Sequence, residues 1–270
     1  MVSVEKGRTP GKLTKWLVSL APFRLLKRWL VSTVRDRHKK SLLLDVLGQP
    51  FYQQDTTQDP YHLNFTFFTG ETKKRPNFRI IELGARTVSG KSRFTGYAEY
   101  VGFDIHEGDG VDVVGDCHAL SRYFPAEHFD FMFSISLFEH LAMPWKAVLE
   151  MNIVLKHGGL VFVATHPTWP AHALPFDFWR FSKESFKALF NQWTGFEILR
   201  ADEGLPCAIV PYGFEPAMID LHKQPANLGT SLVARKVGPY DKRLAWDVDP
   251  ASFLSSNYPV QDRDWNQNRS

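Results

Sequence analysis

From residue 78 onward the chain alternates short apolar segments with helical patterns, and this alternation constrains the fold more than any other feature. The clearest helical patterns lie at Trp145–Leu155 and Lys183–Phe190. Seven segments have the length and composition of strands: Phe78–Leu83, Tyr100–Ile105, Val111–Val114, Phe129–Ser134, Leu160–Thr165, Phe196–Arg200 and Ser231–Ala234. The early strands are apolar nearly throughout, as strands covered on both faces must be. This pattern predicts an α/β fold, with a Rossmann-like, seven-stranded, mostly parallel sheet and helices on both faces.

The N-terminal region differs from the rest of the chain in charge. Residues 1–40 carry 11 Lys and Arg residues against Glu5 and Asp36, a net charge of +9, whereas the whole chain carries +3. A basic arm on a mildly acidic body is not the charge pattern of a nucleic-acid-binding protein, so we expect no nucleic-acid partner. Apolar residues in this region recur at helical spacing: Leu13, Trp16, Leu17 and Leu20. Residues 1–46 are therefore predicted to form a basic amphipathic helical arm.

Two interpretations of the arm stay open. Its apolar stripe packs on the body or on a second copy of the chain, or residues 11–40 lie on an anionic membrane surface. No apolar run reaches the roughly 18 residues that a transmembrane helix needs, and the N-terminus lacks the cleavage site of a signal peptide. We expect a cytoplasmic protein that at most contacts the inner face of the membrane.

The remaining segments are assigned by composition. Residues 47–75 are rich in polar and turn-forming residues and are predicted to be a surface connection. Residues 76–237 hold the predicted α/β domain, and residues 238–270 lack a clear period and are predicted to be an irregular tail. The two cysteines, Cys117 and Cys207, lie outside any CxxC pair, which excludes a disulfide framework and a zinc ribbon.

Acidic residues follow three successive predicted strands. In an open parallel sheet, ligands bind beyond the carboxyl ends of the strands. Glu82 ends the first strand, and Asp104 ends the second, 20 residues after Gly84. An acid at the tip of the second strand is placed to accept hydrogen bonds from both hydroxyls of an adenosine ribose. Asp116 follows the third strand and can accept a hydrogen bond from the exocyclic amine of adenine. The pattern predicts an adenosine site.

The loop after the first strand distinguishes between adenosine cofactors. It lacks GxGxxG, and the chain also lacks the Tyr-xxx-Lys of short-chain reductases, which disfavours a nicotinamide enzyme. Residues 85–92 match a phosphate-binding loop except for Ala85, but only the short stretch Arg93 to Glu99 precedes the next strand, too little for the long helix that such a loop needs. S-adenosylmethionine carries an ammonium and a sulfonium instead of phosphate, so Glu82 near the loop is useful. The alternative is that Glu82 caps nearby backbone or pairs with Arg86.

The stretch from residue 129 to residue 165 is the most specific part of the sequence. It contains Phe129-Asp130, then Glu139-His140-Leu141, then Val-Leu-Lys-His-Gly-Gly at residues 154–159. The chain here resembles class I S-adenosylmethionine-dependent methyltransferases of the type 11 kind. By this resemblance Gly158-Gly159 ends a helix in a left-handed cap, and S-adenosylmethionine is the cofactor. The resemblance implies cofactor contacts at Glu82, Gly84, Ala85, Arg86, Asp104, Ile105, Asp116, Cys117, Ser134 and Ser136. Arg86 stands where the family has a second glycine.

A narrower resemblance concerns residues 100–120 and 166–182. These stretches look like a bacterial subgroup associated with surface-polysaccharide biosynthesis, and a glycan acceptor is what this resemblance implies. Residues 166–180 follow the fifth strand and are expected at the carboxyl edge of the sheet. Trp faces stack on sugars, and Arg binds hydroxyls or phosphates. The candidate acceptor-binding residues are Trp169, Trp179 and Arg180.

Methyl transfer is an in-line displacement in which the enzyme mainly positions the reactants, and a base helps when the nucleophile is a hydroxyl. The candidate catalytic residues are His140, His166, His172 and Asp177. Each has a structural alternative: the histidines bond to backbone, Asp177 and Arg180 form an ion pair, and the indoles only pack. A metal site of His166, His172 and Asp177 is conceivable from the ligand types, but this Pro-rich segment lacks helical spacing and we predict no metal.

The predicted function is methyl transfer from S-adenosylmethionine to an oxygen or nitrogen atom of a small molecule or glycan. The alternative is a non-catalytic binding or scaffold protein that retains the fold. The altered loop and the basic arm motivate that alternative.

Overall fold

The structure, a computed structural model, describes residues 56–86, 89–211, 218 and 220–244, together with ten residues between 26 and 41. Predictions for Leu13, Trp16, Leu17 and Leu20, and for most of the tail, lie outside the described residues. Two compact units are present: Met1–Gln53 with Ala208–Gln224, and Gln54–Cys207 with Pro225–Ser270. The second unit holds the sheet.

Seven strands form one sheet, as predicted. Their bounds are β1 Phe78–Leu83, β2 Tyr97–Asp104, β3 Val113–Val114, β4 Phe129–Ile135, β5 Leu155–Thr165, β6 Phe196–Cys207 and β7 Ala226–Lys236. The order across the sheet is β3-β2-β1-β4-β5-β7-β6. Only β7 runs antiparallel to its neighbours. The chain moves outward from β1 to β3 and then returns to place β4 beside β1, so the topological switch point lies between β1 and β4, where ligands bind in such sheets.

Helices cover both faces of the sheet. Helix α1, Pro60–Thr72, packs on one face, where Phe68 joins an aromatic cluster with Phe131 and Phe133. Helices α2, Pro144–Val154, and α3, Lys183–Leu189, cover the other face. Side chains alternate between faces along each strand, so a buried strand needs apolar residues at successive positions. The Rossmann-like fold prediction is confirmed.

Helix α1 corrects one expectation. Residues 47–75 are predicted to be a surface connection, but residues 60–72 form a helix whose Asn64 and Phe68 are wholly buried. Asp59 caps the helix by accepting from the Tyr61 N–H at 3.0 Å, and Pro60 occupies the first turn. The capping and turn residues are the signals that suggest a loop. They mark instead the start of a helix, whose core contacts come from phenylalanines spaced three apart.

The start of β5 corrects a second expectation, which concerns the end of helix α2. The resemblance places the end of α2 at Gly158-Gly159, but the helix ends at Val154, and Leu155 already pairs with Phe129 of β4. Gly158 has the positive φ expected of it, +74°, but it lies within β5, where the pairing with β4 shifts register between Phe129 and Phe131. The buried side chain of Leu155 favours strand pairing over another helical turn.

The described residues of the N-terminal arm are helical. Leu26, Trp29 and Leu30 share one helical face and are about half exposed, at 51%, 63% and 48%. Both interpretations of the arm stay predictions. Among the described residues, no helix combines the length and the apolar character needed to span a bilayer.

Candidate active site

Parallel pairing brings the tips of β1, β2 and β4 to one edge of the sheet. Leu83 is in register with Phe103 of β2 and with Ser134 of β4. Asp104 pairs with Val114 of β3, and its carbonyl accepts from the Gly115 N–H at 2.8 Å. The segments that follow β1, β2, β3 and β4 therefore leave the sheet at this common edge.

The turn after β1 depends on glycine. Gly84 has a φ of +85°, and a Cβ there would lie 3.3 Å from the Cβ of Leu137, which follows β4. The N–H groups of Gly84 and of the buried Ala85 both donate to the Phe103 carbonyl, at 2.8 and 3.2 Å. A residue other than glycine would strain the backbone, so the first loop residue keeps the chain close to the exit of β4.

Glu82 caps nearby backbone, which is the alternative to cofactor binding that the sequence left open for this residue. Its carboxylate accepts from the Gly90 N–H at 2.9 and 3.0 Å, from the Ser89 hydroxyl at 3.0 Å, and from the Tyr100 hydroxyl. Burial and the hydrogen bond to Glu82 raise the pKa of Tyr100 above its usual value. Two of these donors, Ser89 and Gly90, belong to the loop after β1, so the carboxylate holds this loop in place. Its contact with the cofactor stays a prediction.

Asp104 lies at the tip of β2 with its carboxylate facing two backbone donors. It accepts from the His106 N–H at 3.0 Å and from the Arg86 N–H at 3.4 Å. The Arg86 Nε lies 4.0 Å from the carboxylate, and the Arg86 side chain passes Gly108 so closely that a Cβ there would lie 2.9 Å from it. Ile105 follows with 43% of its surface exposed. Arg86, which stands where the family has a second glycine, thus supplies a cation beside the acid predicted to bind ribose.

Asp116 follows β3 and is tied to His118. It accepts from the His118 N–H at 2.8 Å and lies 2.6 Å from His118 Nδ1. The Met143 N–H donates to His118 Nε2 at 3.2 Å, so Nδ1 carries the proton and donates to Asp116. Burial alone would raise the pKa of Asp116, but the hydrogen bonds from His118 outweigh the effect of burial and lower the pKa. Cys117 is buried, and burial, followed by the charges of Asp116 and Asp104, raises its pKa.

The residues at this edge fit an adenosyl group. Carboxylates of Asp104 and Asp116 follow adjacent strands, and the positive φ of Gly84 keeps the backbone turn free of a side chain. Beyond β4, Ser134 Oγ is buried without a hydrogen-bond partner, and Ser136 has a φ of +53°. Asp104 can accept hydrogen bonds from ribose hydroxyls and Asp116 from the adenine amine, and the turn at Gly84 leaves room beside them. These are the contacts that the adenosine of S-adenosylmethionine requires.

Beyond the exit of β4 the structure brings together four side chains, here called the histidine cluster: Glu139, His140, His166 and His172. Glu139 Oε1 lies 3.4 Å from His166 Nε2 and 4.0 Å from His140 Nε2. The rings of His140 and His172 meet edge to face with their centres 4.8 Å apart. Glu139 is wholly buried, whereas the side chains of His166 and His172 are 16% and 22% exposed. Three predicted catalytic residues, His140, His166 and His172, therefore surround Glu139, for which the Glu-His-Leu motif predicted no role.

Residues 166–180 cover the cluster. His166 stacks on Trp169 with ring centres 4.6 Å apart and planes 19° apart, and the indole is 43% exposed. Trp179 donates from Nε1 to the Leu141 carbonyl at 2.8 Å and packs edge to face on Trp145. Trp169 is therefore available as a stacking surface, whereas Trp179 has the packing role of its structural alternative.

Asp177 forms the predicted alternative ion pair. Its carboxylate accepts from Arg180 at 2.6 and 2.7 Å, and from the His172 N–H at 2.9 Å. The Arg180 hydrogen bond holds the pKa of Asp177 well below its usual value. Arg180 also donates to the Trp169 and Pro170 carbonyls. The pair therefore shapes the segment, and Asp177 Oδ2 also lies 3.4 Å from His172 Nδ1.

Sequence reasoning missed the contribution of Glu139, Thr165 and Tyr100. Thr165 donates to Glu139 at 2.6 Å, and it ends β5, beside the exit of β4. The Glu-His-Leu motif was the signal for Glu139. Thr165 and Tyr100 carried no sequence signal, since each is one of many polar residues in an apolar strand.

A protein-family model described as "Methyltransferase domain" matches residues 86–163 of this chain. None of the curated proteins compared with this chain matches it. Similar solved structures include an S-adenosylmethionine-dependent methyltransferase from Archaeoglobus fulgidus, with 16% identity and a TM-score of 0.45 over 64% of this chain and 89% of that one. Another, from Mesorhizobium loti, has 18% identity and a TM-score of 0.43 over 59% and 91%. The YcgJ protein from Bacillus subtilis has 17% identity and a TM-score of 0.45 over 64% and 96%.

The matched residues run from the loop after β1 to β5 and include Asp104, Asp116 and the start of the histidine cluster. A methyltransferase domain is an enzyme domain, so the chain is an enzyme, and its cofactor is S-adenosylmethionine. The cofactor supplies, when bound, an electrophilic methyl group on a sulfonium. The match says nothing of the acceptor.

Proposed function

We propose that this enzyme transfers a methyl group from S-adenosylmethionine to an oxygen or nitrogen atom of a small-molecule or glycan acceptor that binds along residues 166–180. The observation that carries the proposal is the stacked pair of His166 and Trp169 beside the exit of β4. This pair combines a half-exposed indole with an imidazole whose Nε2 lies 3.3 Å from the hydroxyl of Ser136, just beyond β4. An acceptor that stacks on the indole of Trp169 would have the imidazole of His166 beside it.

The carboxyl edge supplies two further features that suit a hydroxylated acceptor. The Ser136 hydroxyl lies 3.3 Å from His166 Nε2 and is a partner for an acceptor hydroxyl. The proton that a hydroxyl nucleophile releases can pass to an imidazole of the histidine cluster. The remaining contribution is positioning, which the Asp177–Arg180 ion pair supports by holding the backbone at Trp169 and Pro170.

A matched pair of indoles tests the acceptor site. Trp169 and Trp193 are similarly exposed, at 43% and 53%, but Trp193 precedes β6 and so lies at the opposite edge of the sheet. Transfer of a labelled methyl group is measured with hydroxylated small molecules and oligosaccharides. Loss of a stacking contact of about 0.5–1.5 kcal/mol should raise the acceptor KM of Trp169→Ala by roughly 2–10-fold, and Trp193→Ala should match the wild type.

Two results would contradict this proposal. Equal KM values for Trp169→Ala and wild type place the acceptor elsewhere on the enzyme. Binding of S-adenosylhomocysteine, seen as a rise in Tm, without methyl transfer to any of these acceptors favours the non-catalytic binding protein.

A further inference from the structure

Glu139 is a buried carboxylate with little compensation. Its Oε2 accepts one hydrogen bond, from Thr165, and its Oε1 is buried without a hydrogen-bond partner. Among the described residues, its ion-pair partners are only the imidazoles of His140 and His166. A buried charge without a hydrogen-bonded partner costs several kcal/mol, and so a cation beside Oε1 would stabilise it.

Backbone carbonyls determine which ring nitrogens around Glu139 can act as ligands. His140 Nδ1 lies 2.7 Å from the Phe176 carbonyl, and His172 Nδ1 lies 3.1 Å from the Pro170 carbonyl. His166 Nδ1 faces the Leu228 carbonyl at 3.2 Å. A carbonyl only accepts, so each Nδ1 carries the hydrogen and each neutral ring keeps its lone pair on Nε2. Metal-binding histidines have this arrangement, with the other ring nitrogen donating to backbone.

We propose that Glu139, His140 and His172 bind a divalent transition-metal ion, for which Zn²⁺ is the matching probe. One ligand atom from each residue lies within 4.8 Å of the others. Two imidazoles and one carboxylate suit Zn²⁺, whose bonds of about 2.0–2.1 Å separate tetrahedral ligands by about 3.3 Å. The side chains therefore draw together by roughly 1.5 Å, a movement available to the partly exposed His172.

Three protein ligands leave a coordination position open, as in catalytic zinc sites. His166 Nε2 lies 3.4 Å from Glu139 Oε1, and its stacking partner Trp169 belongs to the proposed acceptor site. A metal there would bind an acceptor oxygen and lower its pKa. The metal site goes beyond the proposed methyl transfer and does not depend on it, because metal binding can be measured without cofactor or acceptor.

The test is calorimetric titration of the full chain, freed of any histidine tag and of metal by chelation, with ZnCl2. We expect one ion per chain with a Kd of roughly 10 µM or tighter. Glu139→Gln, which preserves shape, and His172→Ala should each weaken binding at least about 100-fold. His157→Ala is the control, since His157 is exposed and sits at the start of β5. Co²⁺ adds a second readout, because its visible absorption should change in His172→Ala.

Absence of one-to-one Zn²⁺ binding overturns the metal site, and so does equal affinity in wild type and Glu139→Gln. A chelated enzyme that binds no Zn²⁺ but methylates at full rate overturns the metal site and leaves the proposed function intact. Zn²⁺ binding by a chain that methylates nothing supports the metal site and contradicts the proposed function.

Discussion

Glu82 and Glu139 are both buried carboxylates at the carboxyl edge of the sheet, exposed by 4% and 0%. Glu82 receives hydrogen bonds from Ser89, Gly90 and Tyr100, and these donors hold the loop after β1. Glu139 receives one hydrogen bond from Thr165 and faces imidazoles. The difference teaches that a buried carboxylate can be compensated by donors of the chain, as at Glu82, or can keep an oxygen without a hydrogen-bond partner, as at Glu139.

The largest effect that tests this comparison is expected from Glu82→Gln. The amide would place a donor against the N–H and hydroxyl donors that the carboxylate accepts, so we expect the free energy of unfolding to fall by about 2–4 kcal/mol. Urea denaturation measures this change in the free energy of unfolding. Glu107→Gln is the control because Glu107 is exposed, and it should change stability by less than about 0.5 kcal/mol. Equal stability of the two variants would show that Glu82 does not hold the loop.

A smaller effect is expected from Asp104→Ala. Loss of charge-assisted hydrogen bonds to the ribose, worth about 1.5–3 kcal/mol each, should weaken S-adenosylhomocysteine binding by roughly 10–100-fold or more. Isothermal titration calorimetry measures the affinity, and Asp109→Ala, at an exposed position, is the control. Unchanged affinity would place the adenosine away from the tip of β2.

The smallest effect, and one of opposite sign, is expected from Glu139→Gln in the presence of a chelator. The glutamine oxygen keeps the Thr165 hydrogen bond, and its amide can donate to His166 Nε2. Removing an undercompensated buried charge should raise the free energy of unfolding by about 1 kcal/mol. Urea denaturation of Glu139→Gln and Glu82→Gln under the same conditions compares their free energies of unfolding directly. A loss of stability as large as that of Glu82→Gln would mean that both carboxylates are structural.

Local patterns in the sequence predict the sheet well because a buried strand must be apolar along its length. All seven strands were predicted, and the helix predicted at Trp145–Leu155 is found at Pro144–Val154. Helix α1 was missed because Asp59 and Pro60 are turn residues as well as helix starters. The ion pair of Asp177 and Arg180 was predicted as an alternative, and its nitrogen and oxygen atoms lie 2.6 Å apart.

The sequence by itself determined the fold class and the positions of Asp104 and Asp116 at strand tips, because the location of each strand and its side-chain alternation follow from residues near one another in the chain. Only the tertiary structure decided that Glu139, His140, His166 and His172 form one cluster. These residues leave two neighbouring strands, and their convergence depends on the β4–β5 pairing and on the path of residues 166–180. Nor could the sequence decide how each buried carboxylate is compensated, because the donors come from residues distant along the chain.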